Sequence, residues 1–327
     1  MAVIDSRGRL HGKVGNVVYR TVGDMKIVQA KPARVKQTLS TKESALEFGL
    51  TSNCGRILRS LYSSFACYSD GRLLNRMNAA LLKTLKDTEK LRGERDLHDG
   101  NPKHLQGLQF NVNSPLTEVL AVRPLCSMMD GGIRVQLPAF NVSEQVQLPK
   151  YTKNAVLRLM VAAINFRERY YEYLDYKDIP LQYGRSIPQQ EWVSEVALPA
   201  GSIVMVSASL HCFGMKGIDG EPLSLNGKEY SPAEIIGAYG IDGEMKEEIE
   251  FKNEAKKEIA HEKAFPNRHR LINYRGEEIL KEIARKRKRD KKYQERLVQE
   301  KSWKTEGQTI VDGMKLPTVG KVFYKKE

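Results

Sequence analysis

Between residues 116 and 213 apolar and polar positions alternate in runs of strand length. Ile133, Val135 and Leu137 alternate with Arg134 and Gln136, which predicts a strand with one covered and one wet face. Residues 155–166 (AVLRLMVAAINF) are almost wholly apolar, as a central strand covered on both faces would be. Two further strands, 194–199 and 202–213, are hinged at Pro199-Ala200-Gly201, a turn-forming run. Turn signals at Asp130-Gly131-Gly132, Pro149, Pro180, Gly184 and Pro188 complete the picture of an antiparallel β-sandwich of roughly 100 residues.

Residues 1–39 read as extended. Val14, Asn16 and Val18 alternate with Gly15, Val17 and Tyr19, and a second run, 25–29, follows a turn at Gly23-Asp24. The two predict a β-hairpin, ended by Lys31-Pro32 because proline cannot donate to a ladder. From residue 40 the period changes to that of helices. Ser40 and Glu43 have the spacing of a capping box, and Leu46, Phe48, Leu50, Cys54, Ile57, Leu58, Leu61 and Phe65 follow as a broad stripe. Gly49 and Gly55 weaken that stripe. Leu73, Leu74, Met77, Leu81 and Leu85 mark a second helix, so 40–95 predicts a helical hairpin. Residues 96–115 are rich in Gly, Asp, Asn and Pro and predict a linker.

Seven glycines between 214 and 243 predict a domain boundary, and 244–327 a charged helical extension. Pro266 breaks its first helix, and a second runs from Glu277 to about Lys301, close to 40 Å at ~1.5 Å per residue. Residues 285–292 (RKRKRDKK) hold seven bases, one acid and nothing apolar, a composition that predicts solvation or an anionic partner. Val319, Val322, Phe323 and Tyr324 end the chain as a short strand suited to docking on a sheet edge. The expected fold class is α+β: a β-sandwich core, an N-terminal β-hairpin and helical hairpin, and a C-terminal helical extension.

Charge is uneven. Residues 1–95 carry 18 Lys/Arg against 8 Asp/Glu, while 96–213 carry 10 against 11. The excess sits on the arms and points to an anionic partner, either nucleic acid or an acidic protein. Candidate contacts are Lys13, Arg20, Lys26, Lys31, Arg34 and Lys36, with Arg285, Lys286, Arg287, Lys288, Arg289, Lys291 and Lys292. No apolar run approaches the ~20 residues of a membrane helix, and residues 1–16 lack the apolar core of a secretory signal. No membrane insertion is expected, and the expected location is the cytoplasm or an assembled particle. Four scattered cysteines without a CxxC read as small buried hydrophobes rather than a disulfide framework.

Signals of chemistry are faint. Residues 8–14 (GRLHGKV) resemble a phosphate loop, but the glycines are too close and Val14 stands where Ser or Thr would meet magnesium. His98 and His104 with Asp96 and Asp99 lack a metal-ligand spacing. Tyr170, Tyr171, Tyr173, Tyr176 and Tyr183 among Arg167, Arg169, Lys177 and Arg185 suit half-buried strands better than a base-stacking surface. There is no GxSxG, HExxH, Walker or GxGxxG motif. The expectation is a protein without catalytic residues, cofactor or metal.

The run Gly12-Lys13-Val14-Gly15-Asn16-Val17-Val18-Tyr19-Arg20, with Ala30-Lys31-Pro32, Leu46-Glu47-Phe48-Gly49 and Gly107-Leu108-Gln109-Phe110-Asn111, resembles an uncharacterised protein family common in Bacteroidetes genomes. The resemblance covers residues 8–213 and implies a glycine-rich hairpin, a helical pair and a β-rich domain of unknown function. It implies no activity for any residue, and the chain beyond residue 213 departs from it. The reading that follows is a non-enzymatic structural or assembly protein of a larger, phage-like complex with other protein subunits as partners. The alternative is a nucleic-acid-binding protein using the basic N-terminal region and residues 285–292.

Overall fold

A computed structural model describes residues 2–6, 8–22, 25–30, 38–129, 132–194, 196–217, 221–243 and 268–288. Of the predicted features, Lys31, Arg34, Lys36, Arg289, Lys291, Lys292 and the strand at Val319, Val322, Phe323 and Tyr324 lie outside the described residues. The fold is α+β, and the chain forms two compact units, residues 1–42 and 43–327.

The first unit is a four-stranded antiparallel meander rather than a single hairpin: β1 (Ala2–Ile4), β2 (Leu10–Val14), β3 (Val17–Val22) and β4 (Met25–Ala30). Asp5 closes the first turn, accepting from the Arg9 N–H at 2.9 Å. Gly15-Asn16 makes the next, with Val14 paired to Val17 and Gly15 at φ 56°, a conformation suited to glycine.

The second unit is layered. Helices α1 (Leu39–Leu61, its first four residues belonging to the first unit) and α2 (Leu73–Lys86) form a hairpin. Helix α1 opens two residues earlier than the Ser40–Glu43 box predicts. Thr38 takes the cap, its Oγ1 accepting from the Thr41 N–H at 3.2 Å. Glu43 is freed from that role and is fully buried. Gly55, read as a weakness in the stripe, is a packing device: a β-carbon there would meet Asn78 Oδ1 at 2.5 Å. It lets α1 and α2 approach closely.

The predicted linker is part of this layer. Two short 3-10 turns, Leu97–Asp99 and Pro102–Leu105, bury Leu97 and Leu105, with Leu108 and Phe110 behind them. Asp96 and Asn101 cap the two turns, while Leu97, Leu105, Leu108 and Phe110 join the core and Val112 stays exposed.

Next come α3 (Leu116–Val119), β5 (Leu125–Met129), β6 (Gly132–Leu137), β7 (Phe140–Asn141), α4 (Val142–Gln145), β8 (Asn154–Asn165), β9 (Tyr170–Leu181), β10 (Ser186–Ile187) and β11 (Gln190–Ser194). They are followed by β12 (Ile203–Lys216), β13 (Pro222–Ser224), β14 (Ala233–Gly240), β15 (Arg268–Arg270) and α5 (Gly276–Lys288). The main sheet runs β13-β12-β8-β9-β15, with β14 also paired to β12. A smaller sheet, β11-β6-β5, stacks on it. The apolar run of β8 divides by parity. Leu157, Leu159, Val161 and Ala163 face the small sheet with Val135 and Val206, while Met160, Ala162 and Ile164 face the helices with Met205. The middle layer is therefore covered on both sides.

Two expectations for the last third are corrected. The glycine-rich stretch 214–243 is not wholly a boundary, because β14 pairs with β12 from Ala233 to Gly240 and lies mostly buried. The helix from Gly276 does not project within its described length. Ile283 is fully buried, and Ile279 and Leu280 pack against the helix-side core. Gly93, at φ +77°, has no room for a β-carbon beside Ile283 and Arg287.

Candidate functional site

In the N-terminal sheet, register assigns the side chains to faces. Ala2, Ile4, Leu10, Val14, Val17, Tyr19, Val28 and Ala30 share one face, with Thr21 and Lys26 at its end. Lys13 and Arg20 share the other with Val3, His11, Val18, Met25, Ile27 and Gln29. No described residue of these four strands is buried, and Ile4 is 68% and Val28 60% exposed. The predicted basic arm is thus a sheet with unburied aliphatic residues on both faces, Lys13 and Arg20 standing on one and Lys26 on the other.

The predicted anion-binding helix is different from its composition. Arg287 is buried and already faces carboxylates, Glu43 at 3.5 Å and Glu94 at 3.4 Å. Lys286 pairs with Glu282 at 2.6 Å, an i,i+4 contact on the helix surface. Arg285 and Lys288 remain exposed. The composition of 285–292 gives no apolar anchor, but Ile283 and Arg287 lie one turn apart and dock together.

The two histidines of the loop have separate duties. His98 Nε2 accepts from the Phe166 N–H at 2.9 Å. Burial, helped by Arg167 and opposed by Asp96 and Asp99, lowers its pKa to about 4. His104 Nε2 lies 2.9 Å from Asp87. Among the described residues no three His, Cys, Asp or Glu side chains gather as a metal site.

Nor do the tyrosines form one stacking surface. Tyr170 is buried beneath the Arg268 guanidinium, 4.1 Å from ring centre to Cζ. The Tyr171 ring stacks on His269, and the Tyr173 hydroxyl donates to the Leu61 carbonyl at 2.7 Å. Tyr176 and Tyr183 are exposed.

An open cleft of about 630 Å³ lies between the end of α1 and strands β8 and β9, lined by Ser64, Arg158, Tyr173, Asp175, Tyr176 and Asp178 among others. Arg158 and Asp178 form a bidentate pair across the strands, at 2.7 and 2.6 Å. Each strengthens the other's charge: the Arg158 pKa rises chiefly through Asp178, and that of Asp178 falls chiefly through Arg158.

Ser209 of β12 stands opposite Arg158, and His211 follows two residues on along the same face. His211 Nε2 lies 2.9 Å from Ser209 Oγ and its Nδ1 3.6 Å from Cys67 Sγ. Cys67 is exposed, unlike the buried Cys54 and Cys212. The reading of all four cysteines as buried hydrophobes therefore fails at Cys67. One signal for this site was present in the sequence. Ser207, Ser209 and His211 alternate with Val206, Ala208, Leu210 and Cys212 in an otherwise apolar strand.

No protein-family model matches the chain, and no curated protein or solved structure matches it.

Proposed function

We propose that this protein is a non-enzymatic assembly component of a larger complex, and that its N-terminal sheet docks an acidic protein partner. One observation carries the reading: a four-stranded sheet presents Ile4, Leu10, Val14, Val17, Tyr19 and Val28 on one face and buries none of them. Such a face is stabilised by removal from water, at roughly 25 cal/mol per Å² of apolar area. Small sheets without a covered face are marginal alone.

Charge favours a different chain as occupant over a second copy. Residues 1–42 hold nine Lys/Arg against two Asp/Glu, and the whole chain carries +13. Two copies meeting through this unit would bring like charges together. The aliphatic character of the face favours protein over nucleic acid, whose backbone is met by cations and whose bases stack on aromatic rings. A phage-like particle, and kinship with the Bacteroidetes family that residues 8–213 resemble, belong to this same proposal.

The test is to purify tagged full-length chain from its own cells and apply a zero-length carbodiimide crosslinker. The reading expects Lys26, on the docking face, joined to Asp or Glu of one partner protein, with the link lost in the double variant Ile4→Lys, Val28→Lys. Links confined to residues 43–327 of the same chain would overturn it. So would salt-sensitive retention of nucleic acid that survives the double variant.

A further inference from the structure

The arrangement around Cys67 is that of a nucleophile, a base, and a group that orients the base. Cys67 Sγ and Ser209 Oγ approach opposite nitrogens of His211, at 3.6 and 2.9 Å. The loop that carries the thiol is fixed on both sides. The Phe65 and Ala66 N–H groups donate to the Tyr62 carbonyl at 3.1 and 2.9 Å, and the Tyr68 N–H donates to Ser231 Oγ at 3.2 Å.

The groups facing His211 are Cys67 from the α1–α2 connection, Arg158 from β8, Asp178 from β9 and Ser209 on its own strand. Burial first, and Arg158 second, hold the imidazole below its ordinary pKa against the pull of Asp178, so it is neutral near pH 7 and able to take a proton. Burial raises the Cys54 pKa, pushes Cys126 up to about 12 and raises Cys212 to about 11, which leaves those three thiols protonated.

The neighbouring cleft is lined by Ser64 and Phe65, three and two residues before the thiol, and by the Arg158–Asp178 pair with Asp175; Arg158, which also faces His211, links the cleft to the Cys67–His211 pair. A guanidinium and two carboxylates in a cavity of about 630 Å³ suit a small molecule that carries both charges. We propose that Cys67 is a reactive thiol that exchanges with a zwitterionic, amino-acid-derived disulfide of the cystine type, with His211 as base and this cleft as the docking site. The inference is independent of the assembly reading.

In the step, His211 Nδ1 takes the Cys67 proton while Nε2–H donates to Ser209 Oγ. The thiolate pair forms a bond to one disulfide sulfur and the S–S bond of the small molecule breaks. The departing thiolate recovers the proton from His211. Cys67 is oxidised to a mixed disulfide, and the released half of the cystine is reduced to cysteine.

The experiment uses reduced full-length protein with cystine at pH 7 and peptide mass mapping. One half-cystine on Cys67, with the other three cysteines unmodified, is the expected result, and it requires no variant. His211→Gln slows the reaction by about tenfold or more at pH 7. Cystine also outpaces the uncharged 2-hydroxyethyl disulfide, and Arg158→Gln removes that advantage. A Cys67 that reacts only after denaturation, an equal rate in His211→Gln, or no preference for cystine overturns the proposal.

Discussion

Arg287 and Glu43, at opposite ends of the sequence, meet at 3.5 Å in a site where Arg287 is 5% and Glu43 0% exposed. Glu94 adds a second carboxylate at 3.4 Å. Removing one partner of a buried pair costs about 3–5 kcal/mol, whereas replacing both with apolar groups can be neutral. Arg287→Met is expected to lower stability by that amount in urea unfolding, and Arg287→Met with Glu43→Leu to recover most of it. A single variant as stable as the parent would show that the pair contributes nothing.

Gly93→Ala tests the same docking from the other side. A methyl group there overlaps Ile283 and approaches Arg287 Cζ to 3.0 Å, and the backbone sits at φ +77°. A cost of about 1–3 kcal/mol is expected for an L-residue held in that conformation. Hydrogen exchange should rise first in residues 276–288, ahead of β8 and β12. Uniform exchange across the second unit would mean that α5 is not a separable element.

Acid sensitivity should trace to His98. Its pKa falls from the ordinary value to about 4 in the fold, because burial disfavours the imidazolium that Asp96 and Asp99 only partly support. The unfolded chain therefore binds more protons between about pH 6.5 and 4, and stability declines as pH drops through that window. The loss is of order 2–3 kcal/mol from this residue. His98→Gln, which keeps an acceptor for the Phe166 N–H, should flatten the stability curve there. A curve that keeps its slope in the variant assigns the sensitivity elsewhere.

Surface variants of the N-terminal sheet should behave oppositely. Ile4→Lys and Val28→Lys replace side chains that are 68% and 60% exposed. Each should shift the main unfolding transition of the isolated protein by less than about 0.5 kcal/mol. A large destabilisation by calorimetry would mean that the aliphatic face is already covered within the molecule.

The layers were legible where periodicity was strong. Residues 155–166 announced a strand covered on both faces, and its two parities do face two cores. The helical stripe from Leu50 to Leu61 is buried as its spacing predicts. Strand β14 was hidden by Gly237, Gly240 and a charged Glu234, whose carboxylate meets Arg123 at 2.9 Å. Helix α5 itself was predicted from Glu277, but its docking was hidden because the position after Ile283 in its apolar stripe is an arginine, which belongs inside only beside Glu43 and Glu94. The Cys67–His211 pair joins residues 144 apart, a distance over which local pattern carries no information.

The meeting of Glu43 with Arg287 also sets an order of events during synthesis. At ~5–20 residues per second, the ribosome takes roughly 12–50 s to travel from one to the other. Throughout that interval α1 and α2 can pair and β8, β9 and β12 can assemble, yet the carboxylate of Glu43 lacks its guanidinium. The nascent chain holds an incomplete interior until α5 emerges. Completion of the second unit is thus a late event, and a chain arrested before residue 288 presents quality-control machinery with an acidic defect at the base of its first long helix.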